Sequence, residues 1–192
     1  MGGRSPDPGP APWRPPERLH TERLVLRRPR PEDAQAIFEA YAQDPEVVRY
    51  LTWRPHRSLE ETAALVEQAA RDWETGRAFR YVLVRRREDR AIGMVELRPD
   101  GHRLELGYVL ARRYWNRGYM TEAVQTVVLW ALAQPTIHRV WAVVDVDNRA
   151  SARVLEKAGM QLEGVLRRWS VHPNVSPVPR DCLCYSAVRT EE

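Results

Sequence analysis

Polar and apolar positions alternate over residues 23–28, with Leu24 and Leu26 around Val25, and this period of two predicts a short first strand. The spacing then lengthens to helical intervals. After Pro31, the residues Ile37, Phe38 and Tyr41 fall on one helical face, and Asp44-Pro45 breaks that helix ahead of a second short one carrying Val47, Val48 and Leu51. Ser58 with Glu61 three residues later predicts a capping box for a third helix, whose Val66, Ala69, Ala70 and Trp73 share a face before Gly76 stops it. Over residues 78–106 the period is two again. Phe79, Tyr81 and Leu83 mark one strand, residues 91–97 a second, and the turn at Pro99-Asp100-Gly101 returns the chain into a third at Leu104, an antiparallel meander.

Ala123, Val124, Val127, Val128 and Ala131 then form a buried helical stripe that ends before Pro135, and residues 138–145 are a Val-rich strand. Strand, helix and strand in that order make a parallel crossover. Asn148 caps a further helix with Val154, Leu155 and Ala158 inward and Gly159 at its end. Two last strands, residues 161–171 and 182–188, flank a proline-rich loop over residues 172–180. No internal repeat is present. The element order predicts an α/β (α+β) domain on a mixed, mostly antiparallel sheet.

Composition narrows the class. A chain of 192 residues with 43% hydrophobic and 29% charged residues is that of a soluble globular protein, with no apolar run long enough to span a membrane. The first 16 residues hold six of the 15 prolines and no apolar segment, so residues 1–16 are expected to be a disordered leader and residues 17–192 a single domain. The balance of 30 basic to 26 acidic residues, a net charge of +4, suits an anionic ligand and is too small to imply nucleic acid. Arg85-Arg86-Arg87, followed by Glu88-Asp89, reads as a solvated turn. The two cysteines, Cys182 and Cys184, suit neither a disulfide nor zinc, and a reducing cytoplasm is the setting they imply. Nucleophile-elbow and Walker motifs are missing, and the five histidines are too scattered to suggest a metal site.

The chemistry concentrates between the strand at Leu104 and the helix after it. Asn116 and Gly118 precede the first helical turn, and both types tolerate the left-handed backbone that turns successive N–H groups inward. Together with the positive end of the helix, such a turn is an anion cradle suited to phosphate.

Arg113-Tyr114-Trp115-Asn116-Arg117-Gly118 resembles the Gln/Arg-x-x-Gly-x-Gly/Ala loop of GNAT N-acetyltransferases, with Asn116 where the usual residue is Gly. The run from Asp147 to Met160 is similar to the Asn-x-x-Ser-x-x-Val-Leu-x-Lys-x-Gly-Phe stretch of the RimJ/RimL branch, with Met160 in place of Phe, and Thr21-Glu22-Arg23-Leu24 resembles its opening. The resemblance covers residues 21–188. It implies the GNAT fold, a twisted sheet of about six to seven strands with one parallel pair splayed around the cofactor and about four to five helices.

What the resemblance implies for function is acetyl transfer from acetyl-CoA, as co-substrate and without a metal, to a primary amine by direct attack in a ternary complex. The pyrophosphate is then expected on Arg112, Arg113, Asn116, Arg117, Gly118, Tyr119, Met120 and Thr121. The splayed strand at Val109 and Leu110 meets the acetyl and pantetheine groups, and Asn148 and Ser151 reach the pantetheine arm and sulfur. Glu105 is the candidate base, alone or through a polarised water, and Ser151 or a water the candidate acid. Two family positions depart: Leu155 stands where relatives place a proton-donating Tyr, and Ser170 where the closest branch has a glutamate. Trp53, in the aromatic and basic connection of residues 52–57, joins Glu105, His172 and Asp181 as candidates for the acceptor side. The acceptor is a small-molecule amine or a protein N-terminal amine, with no membrane partner; a homodimer stays open. Two other readings remain, a catalytically silent acetyl-CoA sensor and a basic module docking on ribosomal RNA.

Overall fold

The computed structural model of the chain describes residues 14–189. Its frame is an eight-stranded sheet in the order β1-β2-β3-β4-β5-β6-β8-β7. The strands are β1 (Arg18–His20), β2 (Leu24–Arg27), β3 (Phe79–Arg85), β4 (Ala91–Asp100), β5 (Arg103–Leu110), β6 (Arg139–Asp145), β7 (Gln161–Ser170) and β8 (Arg180–Val188). The helices are α1 (Asp33–Ile37), continued by a π-turn at Phe38–Ala42, α2 (Pro45–Val48), α3 (Leu59–Thr75), α4 (Tyr119–Leu132) and α5 (Arg149–Lys157). The strand count exceeds the expected six to seven because β1 carries no legible alternation; its three residues, Arg18–His20, are a strand only through pairing with β2. Of the expected leader, residues 1–13 lie outside the described residues. Arg14 donates to the Trp73 and Glu74 carbonyls, and the Pro16 carbonyl accepts from Tyr81 Oη at 2.6 Å.

All pairings are antiparallel but that of β5 with β6, and this one is short. Its register covers Arg103 with Arg139, Leu104 with Val140 and Glu105 with Trp141, and stops there. Past that point β5 stays paired to β4 as far as Leu110, and β6 to β8 as far as Asp145, so the sheet opens between them like a fork. The strands can part because each keeps its ladder on the other side. The buried stripe of α4, Met120, Ala123, Val124, Val127, Val128 and Ala131, packs against both strands and supplies the apolar burial that lateral hydrogen bonds do not. At the mouth of the fork, Gly93 of β4 lies so close to β5 that an added Cβ would stand 2.5 Å from the Val109 carbonyl oxygen.

The helix signals mostly act as expected. Asp44 accepts from the Glu46 N–H at 3.0 Å with Pro45 at the first helical position, and Gly76 ends α3 at φ 71°. The capping box is displaced by one residue: Ser58 occupies the cap in extended conformation, but Glu61 accepts from the Arg57 N–H at 2.9 Å. Among the described residues no helix is long and apolar enough to cross a membrane.

Candidate active site

The loop between β5 and α4 has the backbone its sequence implies. Asn116 sits at φ 58° and Gly118 at φ 77°, both left-handed, and α4 begins at the next residue, Tyr119. Trp115 Nε1 donates to the Leu110 carbonyl at 2.7 Å and closes the loop on the end of β5. From the opposite side, Arg23 donates through Nη1 to the Arg117 carbonyl at 2.9 Å, pairs through Nε with Glu122 at 2.6 Å, and lies over the Tyr119 ring at 4.4 Å. Glu122 also accepts from the Arg23 N–H at 2.8 Å and from the Thr21 hydroxyl. Burial works against its ionisation, but the Thr21 and Arg23 donors outweigh it and hold the carboxyl below its ordinary range. Arg112 pairs with Asp44 at 3.3 Å, and Arg113 lies 4.7 Å from the Tyr114 ring centre. Met120 is buried, and Thr121 lies in the first turn of α4. The positive-φ turn, the first-turn N–H groups and the space above Gly118 fit a diphosphate; a Cβ at Gly118 would meet only Arg23 Nη2, at 3.2 Å.

Within the fork a cavity of about 260 Å³ gathers residues far apart in the sequence. Trp53, Glu105, Val109, Asn148, Ser151 and His172 all line it, as do Ser170 and the unanticipated Tyr41, Tyr108 and Asp145. The late loop is tied over the cavity by Asn174, whose Nδ2 donates to the Val48 carbonyl at 2.8 Å and the Trp53 carbonyl at 2.7 Å. Asp181 does not join the lining. Its carboxylate accepts from the Arg168 N–H at 2.9 Å.

Within the cavity, Glu105 lies 3.4 Å from Arg98, which also makes a two-pronged pair with Glu96 at 3.0 and 2.9 Å. Asn148 caps α5 by accepting from the Ser151 N–H at 3.2 Å. Tyr108 Oη lies 2.7 Å from Ser151 Oγ and donates to the Ser151 carbonyl at 2.9 Å; burial pushes its phenol pKa well up, so it is a neutral hydroxyl. Leu155, at the family's tyrosine position, is fully buried in the core.

His172 is buried, 6% exposed, not a solvated loop residue. Its Nε2 lies 3.7 Å from Asp145 Oδ2 and 3.7 Å from Cys182 Sγ. Arg180 grips Asp145 at 2.6 and 3.0 Å, and the Asp147 N–H donates to it at 3.0 Å. Burial would raise the Asp145 pKa, but these donors outweigh it and hold it below the ordinary range, while burial pushes the Cys182 thiol up to about 11. Asp145, Arg180 and Tyr108 had no motif to mark them. The nearest signal was the Asp ending a Val-rich strand directly before the Asn148 cap. Among the described residues no group of His, Cys, Asp and Glu could hold a metal ion.

A left-handed turn leading into α4 and a cavity between the parting strands β5 and β6 fit a transferase that uses an acyl carrier. The family described as Acetyltransferase (GNAT) domain matches residues 23–161, and the chain belongs to it. It is an acetyl-CoA-dependent acyltransferase. YoaA of Bacillus subtilis (strain 168), an uncharacterized N-acetyltransferase, is 33% identical over 177 residues, 91% of this chain and 98% of that protein. The [ribosomal protein uS5]-alanine N-acetyltransferase of Escherichia coli (strain K12) is 27% identical over 77% of this chain and 79% of its own length. The fold matches the microcin C7 self-immunity acetyltransferase MccE, solved with acetyl-CoA and AMP, at a TM-score of 0.79 and 20% identity, covering 87% of this chain and 93% of that one.

Proposed function

We propose that this protein acetylates a primary amine, with a protein N-terminal amine as its acceptor class. The observation that carries the reading is the fork beyond Glu105 and Trp141, which holds the cavity of Glu105, Ser151 and His172 and whose strand β5 leads on into the positive-φ turn. The N-terminal acceptor rests on the relative that acetylates the alanine of ribosomal protein uS5.

The amine must reach the thioester carbonyl unprotonated, and the carbonyl oxygen must be stabilised as it gains charge. Where β5 leaves β6, its backbone N–H groups beside Val109 are free to serve that oxygen and the pantetheine amides. Asn116 to Thr121 take the pyrophosphate on backbone N–H groups, with Arg112, Arg113 and Arg117 adding positive charge. Glu105 offers its carboxylate to the cationic acceptor beside Arg98, in a wall where Arg80 also pairs with Glu96 at 2.8 Å. The Tyr108 and Ser151 hydroxyls stand in for the proton donor that buried Leu155 cannot be, and Ser151 passes a proton to the departing thiolate.

The test is thiol release from acetyl-CoA in the presence of N-terminal peptides beginning with Ala or Ser, polyamines and aminoglycosides. Turnover is expected with the peptides. Tight coenzyme A binding with no thiol release from any amine would replace this reading with that of a cofactor sensor.

A further inference from the structure

We propose that His172 is the catalytic base, taking the proton of the acceptor ammonium in the cavity between β5 and β6. This deepens the acetyl-transfer reading and rests on it. Three observations carry it. His172 lines the same cavity as Glu105 and Ser151. One ring nitrogen faces the Asp145 carboxylate at 3.7 Å, while the other, Nδ1, is buried and hydrogen-bonded to no protein group. Asp145 is locked by Arg180 and the Asp147 N–H, so it cannot swing away from the ring.

A buried polar atom without a partner is rare and calls for an explanation, and this one belongs to a side chain that lines the cavity. With Asp145 on the Nε2 side of the ring, the tautomer that carries its proton on Nε2 leaves Nδ1 as a lone-pair acceptor. Nδ1 is closed to solvent in the free protein; base contacts of this kind tighten only in the complex with substrate. Ser170, the position of the branch's glutamate, also lines the cavity but carries no base; His172 stands two residues further on.

In the step, the N–H bond of R–NH3+ breaks and the proton goes to His172 Nδ1, giving imidazolium beside Asp145. The freed amine lone pair forms the C–N bond to the acetyl carbon. The tetrahedral adduct then expels the coenzyme A thiolate, which takes the second amine proton through Ser151. Imidazolium returns its proton to solvent, so the net products are the amide, the free thiol and one proton. The charged and titratable groups around the ring are Asp145 on β6, Asp147 in the turn after it, Arg180 and Cys182 on β8, and Glu105 with Arg98 across the cavity.

The experiment measures kcat against pH for wild type, His172→Gln and Asp145→Asn with a peptide amine, alongside coenzyme A affinity as the check on folding. Wild type is expected to lose kcat on the acid side as the imidazole protonates. His172→Gln should bind coenzyme A as wild type does, lose about 10²- to 10⁴-fold in kcat at neutral pH, and lack that acid limb. Asp145→Asn keeps the side chain's shape but removes the carboxylate beside the ring, so it should lower kcat while coenzyme A affinity stays as in wild type. A folded His172→Gln with the wild-type profile overturns the proposal, and so does a wild-type kcat with no acid limb, whichever variants fold. Failure of wild type itself to acetylate any amine would instead strike the acetyl-transfer reading.

Discussion

The Tyr108 hydroxyl lies 2.7 Å from Ser151 Oγ, joining the forked strand β5 to the first turn of α5 across the cavity. The single Tyr108 proton serves either the Ser151 carbonyl or Ser151 Oγ, and in the second arrangement Tyr108 backs Ser151 as Ser151 gives its own proton to a thiolate. Tyr108→Phe and Ser151→Ala are each expected to lower kcat about tenfold, with little change in KM for acetyl-CoA. If the two act as one unit, the double variant falls no further than either single one. Steady-state kinetics on the four proteins of the cycle check this, and full additivity would separate the two roles.

Two glycines near the fork predict contrasting outcomes. Gly118 holds a positive φ of 77°, and a Cβ there would meet only the end of the flexible Arg23 side chain, at 3.2 Å, so Gly118→Val is expected to strain the loop by about 1–3 kcal/mol and to block close approach of a phosphate. Coenzyme A affinity should drop at least tenfold while the protein stays folded. Gly93→Ala presses a Cβ onto the Val109 carbonyl, 2.5 Å away, so β5 itself must move. That variant should lose both melting temperature and turnover. Calorimetric titration with coenzyme A, paired with thermal melts, distinguishes the two.

Glu105→Gln separates attraction of the amine from removal of its proton. With Arg98 at 3.4 Å sharing its charge, Glu105 as an ammonium site predicts a KM for the amine raised about tenfold and a kcat changed much less. A strong loss of kcat at neutral pH that recovers as pH rises would instead make Glu105 the base.

Glu122 predicts an acid-sensitive clamp on the cofactor loop. Its carboxyl is held below the ordinary glutamate value by Thr21 and Arg23, so its stabilisation is fully present above about pH 4.3 and is lost as pH falls through the lower native value. Protonation frees Arg23, which holds the Arg117 carbonyl. Glu122→Gln should therefore cost about 1.5–3 kcal/mol at neutral pH, the worth of hydrogen bonds to a charged group, and show a shallower loss of stability on acidification. Urea melts at a series of pH values measure both; parallel pH curves for the two proteins would exclude the clamp.

By itself the sequence determined what depends on neighbours along the chain. The left-handed turn at Asn116 and Gly118, the buried stripe of α4, the Asn148 cap and the parallel crossover all follow from spacing and residue type within a few turns. Local rules fell short where a partner comes from elsewhere. β1 is a strand because β2 pairs with it, and the capping carboxylate of Glu61 chose the Arg57 N–H. His172 was legible only as a loop residue and a candidate for the acceptor side. Only the tertiary structure buries it: β6 pairs with β8 and places Asp145 beside Arg180, and β7 pairs with β8 through Ser170 and Arg180, which brings His172, two residues on, to the same carboxylate. The cavity is likewise a tertiary object: it exists because β5 and β6 stop pairing after Glu105 and Trp141, and no periodicity in either strand encodes where a parallel pair parts.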